Sequence, residues 1–171
     1  MSGSPTEASQ RPENPYRVLF VCTANLCRSP TAHGIFRKMC AERGLAPRVR
    51  VDSAATHGHG TGDAPDPRSQ SHAAARGYDI SDLRARQITQ DDFERADLIL
   101  VMDWRNLRDL EQFCPPEHRA KVRRLTEFCR RARSEVVPDP YRGDDPDFAH
   151  VLDLLEDACA GLVQHLQATG R

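Results

Sequence analysis

The run Val18-Leu19-Phe20-Val21-Cys22-Thr23-Ala24-Asn25-Leu26-Cys27-Arg28-Ser29-Pro30 is where the fold can be read. An apolar, β-branched stretch ends at a cysteine, and a short polar segment separates it from a helical pattern. Ser29 suits the N-cap of that helix and Pro30 its first position. Strand, tight loop and helix N-terminus make backbone N–H groups converge on an anion. The loop starts with a nucleophile, Cys22, and ends with a fork-shaped cation, Arg28. Cys-x5-Arg is a weakly specific spacing in a chain with six Cys and 22 Arg against 2 Lys. Context strengthens it, since Cys22 alone among the six has an Arg six residues on. A thiolate beneath a phosphate gripped by a guanidinium is the apparatus of a cysteine-based phosphatase. The plainer alternative is an ordinary buried thiol at a strand end.

Working outward, the pattern alternates strand and helix without internal repeat. Strands are expected at Tyr16–Cys22, Val49–Ala55, Asp97–Met102 and Lys121–Leu125. Helices are expected at Pro30–Arg43, Arg68–Arg76, Arg105–Phe113 and Phe148–Gln167, and a turn at Gln90–Arg95. Gly44 and Gly77 stop two of these helices, and Thr89-x-x-Asp92 resembles a capping arrangement. Asp97-Leu98-Ile99-Leu100-Val101-Met102 is a continuous apolar run of the kind buried on both faces of a parallel sheet. The fold class is therefore α/β: a four-stranded parallel sheet with helices on both faces and a phosphate-binding loop after the first strand. Ligands of such sheets sit beyond the carboxyl ends of the strands, where Cys22 lies.

Bulk properties narrow the class. The chain has 171 residues, a net charge of −1, 29% charged residues and a mean hydropathy of −0.63. One domain is expected at residues 16–171, preceded by a flexible tail at 1–15. The opening residues lack the basic start and apolar core of a signal peptide, so a cytoplasmic protein with reduced thiols is expected. Near-neutral charge makes no case for nucleic acid, and there is no 18-residue apolar stretch for membrane insertion. No Cys pair has C-x2-C spacing, so no metal site is expected.

The chemistry then needs three parts. The helix N-terminus and Arg28 favour Cys22 as a thiolate, and Ser29 can donate a hydrogen bond to its sulfur. Arg28 can bind two phosphate oxygens at once, which Lys cannot reproduce. Asn25 either holds the loop open through its side chain or is a plain turn former. The leaving group needs a proton, and among many carboxylates Asp139 in Val137-Pro138-Asp139-Pro140-Tyr141 is the best placed. A Pro-Asp-Pro turn can equally be structural.

Together these residues resemble the low-molecular-weight protein tyrosine phosphatases, bacterial type, over about residues 16 to 167. The family's V-C-x-G-N-x-C-R-S-P stands as Val21 to Pro30. Its D-S-A is Asp52-Ser53-Ala54, its D-P-R is Asp66-Pro67-Arg68, and its A-R-Q-I is Ala85-Arg86-Gln87-Ile88. Asp97 to Asp103 is followed by Asn106-Leu107, and the late D-P-Y is Asp139-Pro140-Tyr141. The resemblance implies a phosphocysteine intermediate on Cys22, a phosphate clamp at Arg28, and Asp139 as acid and then base. Thr23, Ala24, Asn25, Leu26, Cys27, Ser29, His59 and Tyr141 would line the phosphate and substrate site. No cofactor is implied. The partner would be a phosphotyrosine-containing protein, a tyrosine autokinase among the candidates, with phosphate or another oxyanion in the loop.

Departures from the family pattern bear on specificity. Ala24 replaces the usual Gly, which a φ below zero would make cheap. His33 stands where Glu is common, His59 in the place of a cleft aromatic, and Arg142 where a second aromatic is frequent. Ordinary chemistry with a preference for acidic flanking residues is expected. By resemblance, Cys27 could close a reversible disulfide onto an oxidised Cys22; the alternative is a small buried loop residue. Arsenate reductases share the fold but need two further clustered redox cysteines, and residues 41 to 113 contain none. Arginine phosphatases of the family carry Thr where this chain has Leu26. A silent phosphotyrosine-binding module is disfavoured because nucleophile, clamp and acid are all present.

Overall fold

The computed structural model describes residues 14–170. The proposed tail at 1–15 thus lies mostly outside the described residues. Four parallel strands, β1 (Tyr16–Cys22), β2 (Val49–Ala55), β3 (Leu98–Val101) and β4 (Val122–Arg124), form one sheet in the order β2-β1-β3-β4. Five α-helices accompany it: α1 (Arg28–Glu42), α2 (Pro67–Ala75), α3 (Gln90–Arg95), α4 (Trp104–Phe113) and α5 (Asp145–Ala168).

Alternation along each strand separates two cores. Val18, Phe20, Leu98 and Leu100 pack with Ile35 and Phe36 of α1 and Leu152 and Leu155 of α5. Leu19, Val21, Ile99 and Val101 face the other way, toward Phe93 of α3 and Leu110 of α4. Both faces are covered, which is why these strands read as unbroken apolar runs. All four strands end at one edge of the molecule. Strand order reverses between β1 and β3, so the loop after β1 sits at a topological switch point.

Several boundaries differ from the sequence expectation, each with a local cause. α1 begins at Arg28, with Cys27 as its N-cap, so Ser29 is not the cap and Pro30 is not the first helical residue. The Ser29 hydroxyl is drawn to Cys22 Sγ instead. Pro30 is tolerated in the first turn, where its missing N–H would have had no helical partner. α5 starts at Asp145, before Phe148, because Asp147 Oδ2 accepts the Asp144 N–H at 2.8 Å and closes a capping box. β4 keeps only three residues before the chain tightens into a 3₁₀ turn at Leu125–Phe128. Gly161 lets α5 lie against that turn: a Cβ there would meet the Phe128 carbonyl oxygen at 1.7 Å.

Candidate active site

Backbone and side chains of the loop after β1 divide their hydrogen bonds by direction. Carbonyls turn outward: Cys22 O accepts from Thr56 N–H at 2.9 Å, Thr23 O from His57 N–H at 2.9 Å, and Leu26 O from Asp66 N–H at 2.9 Å. Among the described residues, the N–H groups of 23–29 find no protein acceptor. That is the donor array expected of an anion cradle at a helix N-terminus.

Asn25 makes this loop possible. Its φ of 57° is the one positive value for a non-glycine among the described residues, and Asn tolerates that region better than most. Ala24 therefore has no positive φ, and its Cβ costs no backbone strain. Asn25 Oδ1 accepts the Arg86 N–H at 3.1 Å, which fixes the amide orientation. Its Nδ2 then donates to Ser29 Oγ at 2.7 Å. With one of its lone pairs engaged by Asn25, the Ser29 hydroxyl has its proton free to donate to Cys22 Sγ, 3.0 Å away. Asn25 and Ser29 are both buried beneath the loop.

Arg28 is 2% exposed. Its Nη1 donates to Asp103 Oδ2 at 2.6 Å and to the Val137 carbonyl at 3.0 Å. Its Nη2 lies 3.5 Å from Thr23 Oγ1 and 3.9 Å from Asp139 Oδ2. Burial works against its charge, but Cys22, Asp103 and Asp139 outweigh that and hold the guanidinium above its ordinary pKa.

Asp103 and Asn106 were quoted above only as part of a family pattern, and their place in the site was not foreseen. Asp103 caps α4, Oδ1 accepting the Asn106 N–H at 2.7 Å, while Oδ2 orients Arg28. Fully buried Asn106 accepts the Met102 N–H at 3.3 Å and donates to Thr23 Oγ1 at 3.1 Å. The signal was Asp-x-x-Asn immediately after a buried parallel strand.

Asp139 arrives on a separate loop. Val137 N–H bonds Met102 O at 2.7 Å, pinning this loop to the end of β3. Asp139 Oδ1 accepts the Tyr141 N–H at 3.1 Å, and the carboxylate is half-exposed. Arg68 holds the far side, donating to Tyr141 O at 2.8 Å and Gly143 O at 3.3 Å. Its guanidinium also sits over the rings of Tyr141 (5.8 Å) and Phe148 (4.7 Å). Asp66 caps α2, pairs with Arg68 at 3.1 Å and reaches Leu26 O through its N–H, so Asp66-Pro67-Arg68 bridges the two loops.

These elements enclose a cleft of about 230 Å³ lined by Cys22, Thr23, Ala24, Leu26, Cys27, Arg28, His59, Asp139 and Tyr141. Arg142 is not part of that lining. Leu26 packs against Gly60, where a Cβ would lie 3.1 Å from it. Cys27 is buried, and its thiol is pushed up to about 12, chiefly by that burial, with Asp66, Cys22 and Asp139 adding to it against a hydrogen bond from Ser69. Among the described residues no cluster of His, Cys, Asp or Glu is arranged to hold a metal ion, and no helix is long and apolar enough to cross a membrane.

A strand-loop-helix cradle, a buried guanidinium and a facing carboxylate define a class of phosphate-ester hydrolases. The model of the family described as low molecular weight phosphotyrosine protein phosphatase matches residues 17–171, and the chain belongs to that family. It is a protein-tyrosine-phosphatase, a hydrolase. A low molecular weight protein-tyrosine-phosphatase of Streptomyces coelicolor is 42% identical over 151 residues, covering 86% of this chain and 92% of that protein. A protein tyrosine phosphatase of Entamoeba histolytica, solved with Hepes in its active site, superposes with a TM-score of 0.88 at 33% identity, covering 91% and 99% of the two chains. Vibrio vulnificus Wzb in complex with benzylphosphonate superposes with a TM-score of 0.77 at 27% identity, covering 88% and 99%.

Proposed function

We propose that the chain hydrolyses phosphotyrosine in proteins through a phosphocysteine intermediate. The observation that carries this reading is the convergence of Cys22 and Arg28, from one loop, and Asp139, from a distant one, on one cleft. The Cys22 thiolate attacks phosphorus in line, forming S–P as the P–O bond to the phenol breaks. Asp139 acts as the general acid that delivers a proton to the departing phenolate oxygen. Arg28, with Nη1 committed to Asp103 and Val137, presents its Nε–Nη2 edge to two equatorial oxygens. The N–H groups of residues 23–29 take the remaining charge, which is spread over the phosphoryl oxygens in the transition state. Asp139, now ionised, accepts a proton from water as that water's oxygen bonds phosphorus. The P–S bond breaks, inorganic phosphate leaves, and Ser29 stabilises the returning thiolate. Tyr141 and His59 form the walls for the phenyl ring and Leu26 an apolar contact beneath it. The benzylphosphonate complex of the Vibrio relative supports a ring-plus-phosphate ligand class.

The test is release of phosphate from p-nitrophenyl phosphate and a phosphotyrosyl peptide. Cys22→Ser is expected to abolish turnover, and Asp139→Ala to lower kcat by about 10²–10⁴-fold. Turnover retained in Cys22→Ser would overturn the mechanism. We further assign catalysis to residues 16–171 in the cytoplasm, with residues 1–15 a dispensable tail; removal of residues 1–13 should leave kcat unchanged. A tyrosine autokinase as protein substrate is tested by pull-down with Asp139→Ala, whose slow chemistry retains bound phosphoprotein.

A further inference from the structure

Most large apolar side chains are buried, but Trp104 is 46% exposed. It is not a stray surface residue. It follows Asp103, whose carboxylate holds Arg28, so it stands at the same end of the sheet as the nucleophile, on the shoulder of the cleft. The Arg124 guanidinium lies over its ring, 3.9 Å from the centroid. Arg124 is itself fixed, Nη1 donating to Glu135 O at 2.7 Å and lying 3.4 Å from Thr126 Oγ1. Glu135 precedes by two residues the Val137 carbonyl that Arg28 contacts.

Arg124 thus stacks on this exposed ring, and α4, the helix that carries the ring, adds two further cations. Arg124 has no carboxylate within 4.0 Å of its guanidinium among the described residues, unlike Arg28, Arg37, Arg68, Arg76 or Arg86. Arg105 and Arg108 are exposed on α4 and likewise have no ion-pair partner there. Arg108 is four residues from Trp104 and shares its helical face. An ordered guanidinium stacked on an indole has already lost much of its side-chain freedom, so binding a carboxylate costs it little further entropy. The net charge of −1 shows that this cationic patch is local and not a property of the whole surface.

We propose that Trp104, Arg105, Arg108 and Arg124 form a docking subsite for an acidic segment flanking the phosphotyrosine of the protein substrate. The proposal rests on the reading of the cleft as a phosphotyrosine site and names the kind of sequence that site prefers. The phosphotyrosyl ring enters beside Cys22, and the adjoining polypeptide crosses the β3–α4 shoulder with its carboxylates on the arginines. The aromatic ring supplies contact area between them.

The experiment compares kcat/KM for three phosphotyrosyl peptides that differ only in acidic, neutral or basic flanks, with p-nitrophenyl phosphate as a substrate too small to reach the shoulder. The unaltered protein should favour the acidic peptide by about fivefold or more, chiefly in KM, with the preference shrinking as salt is raised. Trp104→Ala and the double variant Arg105→Glu, Arg108→Glu should remove that preference while p-nitrophenyl phosphate turnover stays within about twofold. Equal rates on the three peptides would overturn the proposal, as would a preference that survives both variants or that disappears only with Arg142→Ala. Failure of the underlying reading looks different: neither p-nitrophenyl phosphate nor any peptide would be hydrolysed by the unaltered protein.

Discussion

Ser29 is the residue whose small size conceals the largest consequence. It receives a hydrogen bond from Asn25 and can pass its own to Cys22 Sγ. Hydrogen bonds to charged groups contribute about 1.5–3 kcal/mol, so Ser29→Ala should lower kcat about 10- to 100-fold, read with p-nitrophenyl phosphate. Fold stability, read by urea unfolding, should change far less. His33 makes a different prediction. Its ring is buried with Nδ1 3.0 Å from Ser53 Oγ, and burial, followed by Arg37, brings its pKa down to about 4 from the ordinary 6.5. The unfolded chain therefore takes up a proton over this interval that the folded chain refuses. The stability linked to neutral His33 is complete above pH 6.5 and is lost as pH falls through 4. Between pH 7 and 5 the loss should be roughly 2 kcal/mol from this group. His33→Gln should flatten that slope in urea midpoints measured across the range. The high pKa of Cys27 predicts that iodoacetamide at neutral pH labels Cys22 first, as peptide mapping would show.

At the scale of elements, two loops from distant parts of the chain must meet over one strand end. Arg68, at the start of α2, does this by holding Tyr141 O and Gly143 O. Arg68→Ala should free the Asp139 loop and lower kcat roughly tenfold with a smaller change in KM, because a slightly misplaced acid is a poor one. Arg86 plays the corresponding part behind the nucleophile loop. Its N–H braces Asn25 while its side chain is locked by Asp92 and Asp52, both at close range. The approach of α5 to the 3₁₀ turn is equally specific. Gly161→Ala improves helix propensity by about 1 kcal/mol, yet its methyl would collide with a backbone carbonyl that cannot rotate away. A net destabilisation of about 1–3 kcal/mol is expected in denaturant unfolding.

For the molecule as a whole, the sheet acts as a bracket that fixes several loop ends at one edge. An oxyanion bound there stabilises the folded chain alone, so vanadate or phosphate at a hundred times its Kd should add about 2.7 kcal/mol. For a domain of this size that corresponds to roughly 5–10 °C in Tm, measured by thermal melting. Arg28→Ala should abolish the shift, since it removes the clamp while leaving the bulk of both cores intact.

The alternating runs of β-branched and apolar residues were sufficient for the parallel sheet, its two covered faces and the loop after β1, because those features depend on local periodicity. Cys22 and Arg28 were legible for the same reason: one short loop, residues 22–28, carries both. Asp139 could be picked from composition and from the family pattern, but nothing in its Pro-flanked turn required it to face a thiol. The roles of Asp103, Asn106, Arg68 and Arg86 were out of reach. Their decisive partners lie 75, 83, 73 and 61 residues away, and separations of that length leave no periodic trace in the chain. Folding alone brings them together, by stacking strand ends side by side so that residues remote in sequence share one rim.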